Sequence, residues 1–303
     1  MKQIPQLVHA LASQPLALEE RTLYTLLDVF RRKLLGASFS GEDLHAETGI
    51  IAPTSRKPNR TPTAVAVIPI WGVISHHPQS LGTSVDQIGQ AFDAAMASQQ
   101  VDGILLDIDS PGGMVEGVPE LAAKIRGARG VKPVTALANG MMASAAYWIG
   151  SAASEVVAIP SATGLGSIGV YRLHEDWSQN LEQAGIKITA ISAGRYKTEG
   201  APWGSLAPET EAFYRSEVEA VYNWFVRDVA NQRGDSQVSV RNGYGEGRMV
   251  RAEPAVKAGL ADRVSTWEEA VTRLGAKAER MGRGPRADLL ARRLALDVEA
   301  DTP

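Results

Sequence analysis

The chain has no cysteine. That excludes disulfides, thiolate metal sites and a cysteine nucleophile, and it fits a reducing compartment. It also lacks an unbroken apolar run of the roughly 18 residues that a membrane span needs. The N-terminal stretch "MKQIPQLVHALASQPLALEERTLYTLL" is interrupted by Pro5, Pro15 and charges. It has neither the clean apolar core nor the small-residue cleavage site of a signal peptide. Positive charge is not in excess: 31 Lys and Arg against 34 Asp and Glu give a formal net charge of -3. A weakly acidic whole offers no electrostatic footprint for nucleic acid. These absences point to a cytoplasmic protein with neither a membrane nor a nucleic-acid partner. What is present, 303 residues of which 44% are hydrophobic, suffices for one large domain or two small ones with a real core.

Periodicity divides the chain. Leu23, Leu26, Leu27 and Phe30 recur at helical spacing, and "IAPTSRKPNRTPT", with three prolines, reads as a linker. Residues 1–61 are therefore expected to form a helical arm and linker outside the main core. From there strand-like runs ("AVAVIPIW", "VDGILLDIDS", "KPVTALAN", "SEVVAIP", "GIKITAIS") alternate with helical ones (84–98, "VEGVPELAAKIRGAR", the stretch around Ser144, 174–184, 208–232). Such alternation with short connections predicts an α/β fold with right-handed crossovers. The domain is expected over 62–274, followed by a flexible, charged tail over 275–303.

Four stretches could carry chemistry. In "DIDSPGG" (107–113) a strand runs into glycines, which let backbone N–H groups point outward unobstructed; the same sequence also makes a plain tight turn. Ser144 in "NGMMASAAYW" would gain, at a helix start, from the N-terminal partial charge and from the next residue's N–H; serine among alanines equally means close helix packing. "TGLGSIGVY" lacks the G-x-G-x-x-G spacing and the lysine of a phosphate loop, and reads as a turn into a strand. In "SAGRYKTEGAPWG", Tyr196, Pro202 and Trp203 would strip water from Lys197 and favour its neutral amine, a usable base; a surface lysine is the plain alternative. Of the five histidines, His76 and His77 would need further ligands to hold a metal. His174 is a candidate triad base or a residue opening a polar helix.

In this order, "DSPGG", "NGMMASAAYW", "GSIGV", "GRYKTEG" and the later "YGEGRMVRAEPAVKAGLADRV" resemble the signal-peptide-peptidase A family of Ser–Lys serine proteases, over roughly residues 62–270. The resemblance implies a ClpP/crotonase-like spiral of ββα units. It implies Ser144 as nucleophile and Lys197 as general base, with the amides of Gly113 and Ala145 as the oxyanion hole and Ser167 orienting the lysine. It implies no metal and no cofactor. Membrane-bound members carry an anchor that this sequence does not display. The soluble one-unit pattern with a helical leader looks like the capsid-assembly proteases of tailed bacteriophages, which cleave scaffold, portal or capsid proteins and assemble as homo-oligomers. The alternatives are a soluble bacterial peptidase of the same family, an idle structural partner in assembly, and a crotonase-type acyl-CoA enzyme, which needs neither the serine nor the lysine.

Overall fold

The computed structural model describes residues 15–34, 65–78 and 82–282. The linker at 51–63 and most of the C-terminal tail lie outside these. Two sheets organise the fold. The larger is built from β2 (Val65–Trp71), β5 (Gly103–Ser110), β7 (Val134–Ala143), β8 (Glu155–Ala158), β9 (Gly164–Gly166), β10 (Met249–Val250) and β11 (Arg263–Val264). The strands β2, β5, β7, β8 and β11 pair in parallel, in that order. The smaller sheet runs β1 (Leu16–Leu18), β6 (Gly112–Met114), β3 (Ile74–Ser75), β4 (Thr83–Ser84).

The chain visits the two sheets alternately and then forms a helix. β2 leads through β3 and β4 to α2 (Val85–Ala97), and β5 leads through β6 to α3 (Val118–Gly127). α1 (Glu20–Leu34) precedes this series. Each ββα turn thus delivers a short glycine-bearing or polar strand to the same edge of the molecule. A strand points successive side chains to opposite faces, and the parallel strands bury both. Ala66, Ile68, Ile104, Leu106 and Ala136 face α2, α3 and the centre. Val65, Val67, Leu105 and Leu137 face α9 (Trp267–Gly282), whose Ala270, Val271 and Leu274 cover them. α2 opens with a capping box, in which the Ser84 side chain accepts from the Gln87 N–H and the Gln87 side chain accepts from the Ser84 N–H.

Four expectations differ from the structure. The described part of the N-terminal segment is not outside the core: Leu16, Ala17, Leu18, Leu23, Leu26 and Val29 are buried, because β1 pairs with β6 and α1 packs Leu23 and Leu26 on Val73 and Met114. The boundary at 274 falls inside α9, which continues to Gly282. Residues 140–143 belong to strand β7, not to a helix; hydrogen bonding to β9 (Met141–Ala143 with Gly164–Gly166) overrides their helical composition. "GIKITAIS" forms no strand, and every residue from 182 to 198 is exposed.

Candidate functional site

Strand β7 is paired on one side by two strands in succession. Thr135–Ala138 hydrogen-bond with β8, and Met141–Ala143 with β9. The chain changes neighbour at Gly140. A methyl built there would collide with the Asp109 carboxylate. Asp109 accepts a hydrogen bond from the Met141 N–H at 2.9 Å. Burial pushes the Asp109 carboxyl above its ordinary range, and the Met141 N–H partly offsets this. Sequence reading did not single out Asp109. Its signal was an acid at the penultimate position of a buried strand, just before Ser-Pro-Gly-Gly, where a carboxylate needs a fixed donor.

β7 ends at Ser144, and α4 (Ala145–Ser151) begins at the next residue. Ser144 has φ 54° and ψ -118°, outside the regions open to an ordinary L-residue. It is held there by its N–H donating to the Gly166 oxygen (2.7 Å) and its C=O accepting from Trp148 (2.9 Å). The side chain is buried, and its Oγ lies 3.5 Å from the Gly169 carbonyl oxygen. The result is a hydroxyl presented on a sharp strand-to-helix turn.

α4 is too short to hold itself by hydrogen bonding alone. Trp148 stacks on Phe225 of α6 (Pro208–Arg233), with ring centroids 4.4 Å apart and planes within 5°, and donates from Nε1 to Asp228 at 3.1 Å. At the other end, Arg129 donates to the carbonyl oxygens of Ser151, Ala152 and Gln232, each at 2.8 Å.

The glycine turn of "DSPGG" lies against this helix start. A methyl on Gly112, whose φ is 93°, would collide with the Ala17 carbonyl oxygen and come within 2.9 Å of both the Ala143 oxygen and the Ala145 nitrogen. A methyl on Gly113 would collide with the Ile74 carbonyl oxygen. Both glycines are therefore required by close backbone approach. Ser110 braces the turn: its Oγ donates to the Gly72 oxygen at 2.6 Å and accepts from the Gly112 N–H at 3.2 Å. Nothing in the motif itself distinguishes Ser110 as the brace, because its partner Gly72 is remote in sequence.

The structure thus brings together Ser144, Ala145 and the Gly112–Gly113 turn. Ser167 follows directly on β9, which pairs with the end of β7 beside Ser144; it has φ 50°, is buried, and its N–H donates to the Arg248 oxygen at 3.0 Å. Lys197 is not brought to Ser144 by a hydrogen bond. It is exposed, in a run of turns, and its ammonium makes no hydrogen bond or ion pair among the described residues. Its neighbours do not shield it either, because Tyr196 and Trp203 are themselves exposed and the Tyr196 hydroxyl donates to Glu209. The same segment exposes Ile186, Ile188 and Ile191, the last 99%.

His174 has its Nε2 3.2 Å from the Gly204 oxygen and no hydrogen bond to Ser144. His76, His77 and Asp86 place one ligand-capable atom each within 4.8 Å of one another. His77 and Asp86 are a 2.7 Å pair with both side chains exposed, at the first turn of α2. No helix among the described residues is long and apolar enough to cross a membrane.

Comparison with known proteins bears on this arrangement. The profile of peptidase family S49 matches residues 127–280, a span that holds Ser144, Ala145, Ser167 and Lys197. Capsid assembly protease C of Escherichia phage lambda is 30% identical over 290 residues, 90% of this chain and 65% of that protein. Head-tail preconnector protein GP5 of an Enterobacteria phage is 30% identical over 288 residues, 89% of this chain and 57% of its own length. Protease 4 of Salmonella typhi is 28% identical over 220 residues, 72% of this chain and 35% of that protein. The chain thus spans about three fifths of the length of the two phage relatives. Among solved structures, a ClpP1 mutant of Listeria monocytogenes is similar with a TM-score of 0.44 and 15% identity, over 69% of this chain and 95% of that one.

Proposed function

The chain belongs to peptidase family S49, and on that premise we propose that it is a serine endopeptidase with Ser144 as nucleophile, Lys197 as general base, Gly113 and Ala145 as oxyanion donors and Ser167 orienting the lysine. The observation that carries this reading is the backbone of Ser144. A buried serine with φ 54° and ψ -118°, between strand β7 and helix α4, is a strained placement of the kind that persists where function requires it. The alanines around it do not account for the strain, since ordinary helix packing would leave the residue helical.

The chemistry follows from the groups. The neutral amine of Lys197 takes the Ser144 Oγ proton as the oxygen attacks a peptide carbonyl. The negative oxygen that forms is met by the N–H groups of Gly113 and Ala145, donors fixed by backbone geometry before reaction. The lysine ammonium gives its proton to the leaving amine. Water then repeats the sequence on the acyl-enzyme, restoring Ser144 and releasing the second product.

An exposed Lys197 is compatible with this reading if the segment carrying it closes on assembly. Ile186, Ile188, Ile191, Tyr196 and Trp203 are exposed together with it, an apolar surface of a kind that marks protein contacts. We infer a homo-oligomer in which a second copy covers this segment and the amine loses its water. Similarity to capsid assembly protease C over 90% of this chain supports head proteins of a tailed phage, scaffold, portal or capsid, as substrates.

The test is co-expression of the chain with the genes that neighbour its own, with and without Ser144→Ala. Shortened products are expected only with Ser144. Loss of Ser144 lowers turnover by roughly 10⁶-fold, and Lys197→Ala by about 10²–10⁴-fold. Unchanged processing by the Ser144→Ala chain refutes the nucleophile assignment. Mixing the two inactive variants reads the assembly: activity returns if the serine and the lysine come from different copies. If the mixture stays inactive, each dyad lies within one chain.

A further inference from the structure

Strand β1 runs along the glycine turn that carries the proposed oxyanion donor Gly113. Its three residues, Leu16–Ala17–Leu18, run antiparallel to β6, with Leu16 opposite Met114, Ala17 opposite Gly113 and Leu18 opposite Gly112. On its other side Leu16 exchanges both backbone hydrogen bonds with Tyr171, at 2.8 and 3.1 Å. In an antiparallel ladder the N–H and C=O of successive residues point to opposite sides. Because those of Leu16 are spent on Tyr171, those of Ala17 turn to Gly113. The Ala17 carbonyl therefore faces the Gly113 N–H. It also abuts Gly112, at the bare Cα beside the Ala145 amide. The Glu19 N–H, donating to the Pro111 oxygen at 2.7 Å, continues the pairing downstream.

Three residues of the chain's own leader thus sit between two backbone edges, with a carbonyl aimed at the amides assigned above to the oxyanion. The fit is close: Leu16, Ala17 and Leu18 are each no more than 2% exposed. Leu16 and Leu18 project to one side, against Val73, Met114, Leu23 and Leu26, while the Ala17 methyl projects into the main core. Upstream of β1 the groove widens at Pro15 into an open cavity of about 730 Å³, lined by Val115, Arg172, Phe213, Tyr214 and Trp224 among others. The cleft is longer than the strand that fills it.

We propose that residues 15–19 are a built-in occupant of the peptide-binding cleft between β6 and residues 169–171, and that a substrate enters as an antiparallel strand in place of β1. The ligand class is an extended polypeptide with a small residue opposite Gly113 and large aliphatic residues on either side of it. Most of its affinity comes from main-chain hydrogen bonds added to a sheet edge, and its selectivity from the alternating side chains. Cleavage in trans accordingly requires β1 to leave, and the leader acts as an internal competitor at unit stoichiometry. The inference deepens the peptidase reading and rests on it for the meaning of turnover, but not for the meaning of binding.

The test uses the full chain, whose lack of cysteine makes an engineered pair unambiguous. Leu16 and Met114 are directly opposed in a non-hydrogen-bonded pair, where Cα atoms come within about 4.5 Å, inside the range a disulfide spans. In the Leu16→Cys/Met114→Cys variant, oxidation locks β1 in place and reduction frees it. A fluorogenic peptide carrying Pro-Leu-Ala-Leu-Glu should be cleaved at least tenfold more slowly after oxidation, with recovery on reduction. The same pair combined with Ser144→Ala is titrated with the fluorescein-labelled peptide by anisotropy. The reduced form should bind and the oxidised form should not.

Equal behaviour of oxidised and reduced forms in both assays overturns the inference. Binding that follows the redox state in the Ser144→Ala background, with no cleavage by the serine-containing chain in any state, overturns the peptidase reading instead and leaves the cleft standing. Should the cross-link unfold the chain, Ala17→Arg gives the opposite perturbation: a side chain that cannot fit the buried site expels β1. Peptide binding and kcat/KM should then rise at least tenfold, and unchanged or lower binding overturns the inference.

Discussion

Replacing Ser144 by glycine and, separately, by alanine isolates the strain at the site. Both variants lose the Oγ and its 3.5 Å contact to the Gly169 oxygen, so the side-chain hydrogen bond cancels in the comparison. What differs is the Cβ at φ 54° and ψ -118°. A non-glycine residue held in such a conformation costs up to about 3 kcal/mol. Glycine escapes this but loses about 1 kcal/mol through its greater freedom in the unfolded chain. It also forgoes the burial of one methyl, about 0.8 kcal/mol. At full strain the remainder favours the glycine variant by about 1 kcal/mol, although alanine is ordinarily the more stabilising residue. For a chain of 303 residues, with an unfolding entropy of about 2.1 cal/mol/K per residue, that is a Tm up to about 2 °C higher for Ser144→Gly than for Ser144→Ala. Urea or thermal unfolding followed by circular dichroism measures it, with both proteins inactive. A glycine variant less stable than the alanine variant by about 2 kcal/mol, the full sum of glycine's two losses, refutes the claim that the turn stores strain, and with it the observation on which the proposed nucleophile rests.

Three further outcomes follow from the packing. Gly113→Ala drives a methyl into the Ile74 backbone, so β6 must shift; we expect a stability loss of about 1–3 kcal/mol and a 10²–10³-fold fall in peptide turnover as an oxyanion donor moves, measured by unfolding and initial rates. Trp148→Ala removes the stack on Phe225 and should lower stability by about 3–5 kcal/mol, read as a shifted denaturation midpoint. Asp262 is partly buried, which raises its pKa, but the Arg233 guanidinium and the Val156 N–H outweigh this and hold it below the ordinary carboxylate value. Its stabilisation is therefore complete above about pH 4 and is lost as pH falls through the lower folded value. Asp262→Asn should be less stable at neutral pH and show a shallower acid decline in unfolding curves from pH 7 to 2.

The main sheet was legible because its strands are strongly patterned. "AVAVIPIW" and "VDGILLDIDS" became β2 and β5 with few changes at their ends, and Pro208 does open the long helix α6. Residues 140–143 were not legible, because composition favoured a helix while pairing with β9 required a strand. The segment 185–192 had a strand-like pattern but finds no sheet edge among the described residues, so its isoleucines stay exposed. Most instructive is "PLALEE". Three apolar residues next to a proline carry too little periodicity to announce a strand, and pairing with β6 became visible only once the fold supplied both partners. Of the candidate site, Ser144, Ala145 and the glycine turn could be grouped only through the family resemblance that their motifs carry. The bracing by Ser110 and Asp109 could not, since each acts through a backbone group remote in sequence.

The three hydrogen bonds of Arg129 have a consequence beyond holding α4 down. One guanidinium ties the end of the helix that begins beside Ser144 to the Gln232 carbonyl near the end of α6. Its planar fork allows donors to point at three separate oxygens at once, which an ammonium on a flexible stem does not reproduce. The short helix that Ser144 opens is thus fastened at its far end as well as through Trp148, and the two helices share that fastening. Loss of the Arg129 side chain would therefore leave three carbonyl oxygens without their donor and release the ends of both helices together.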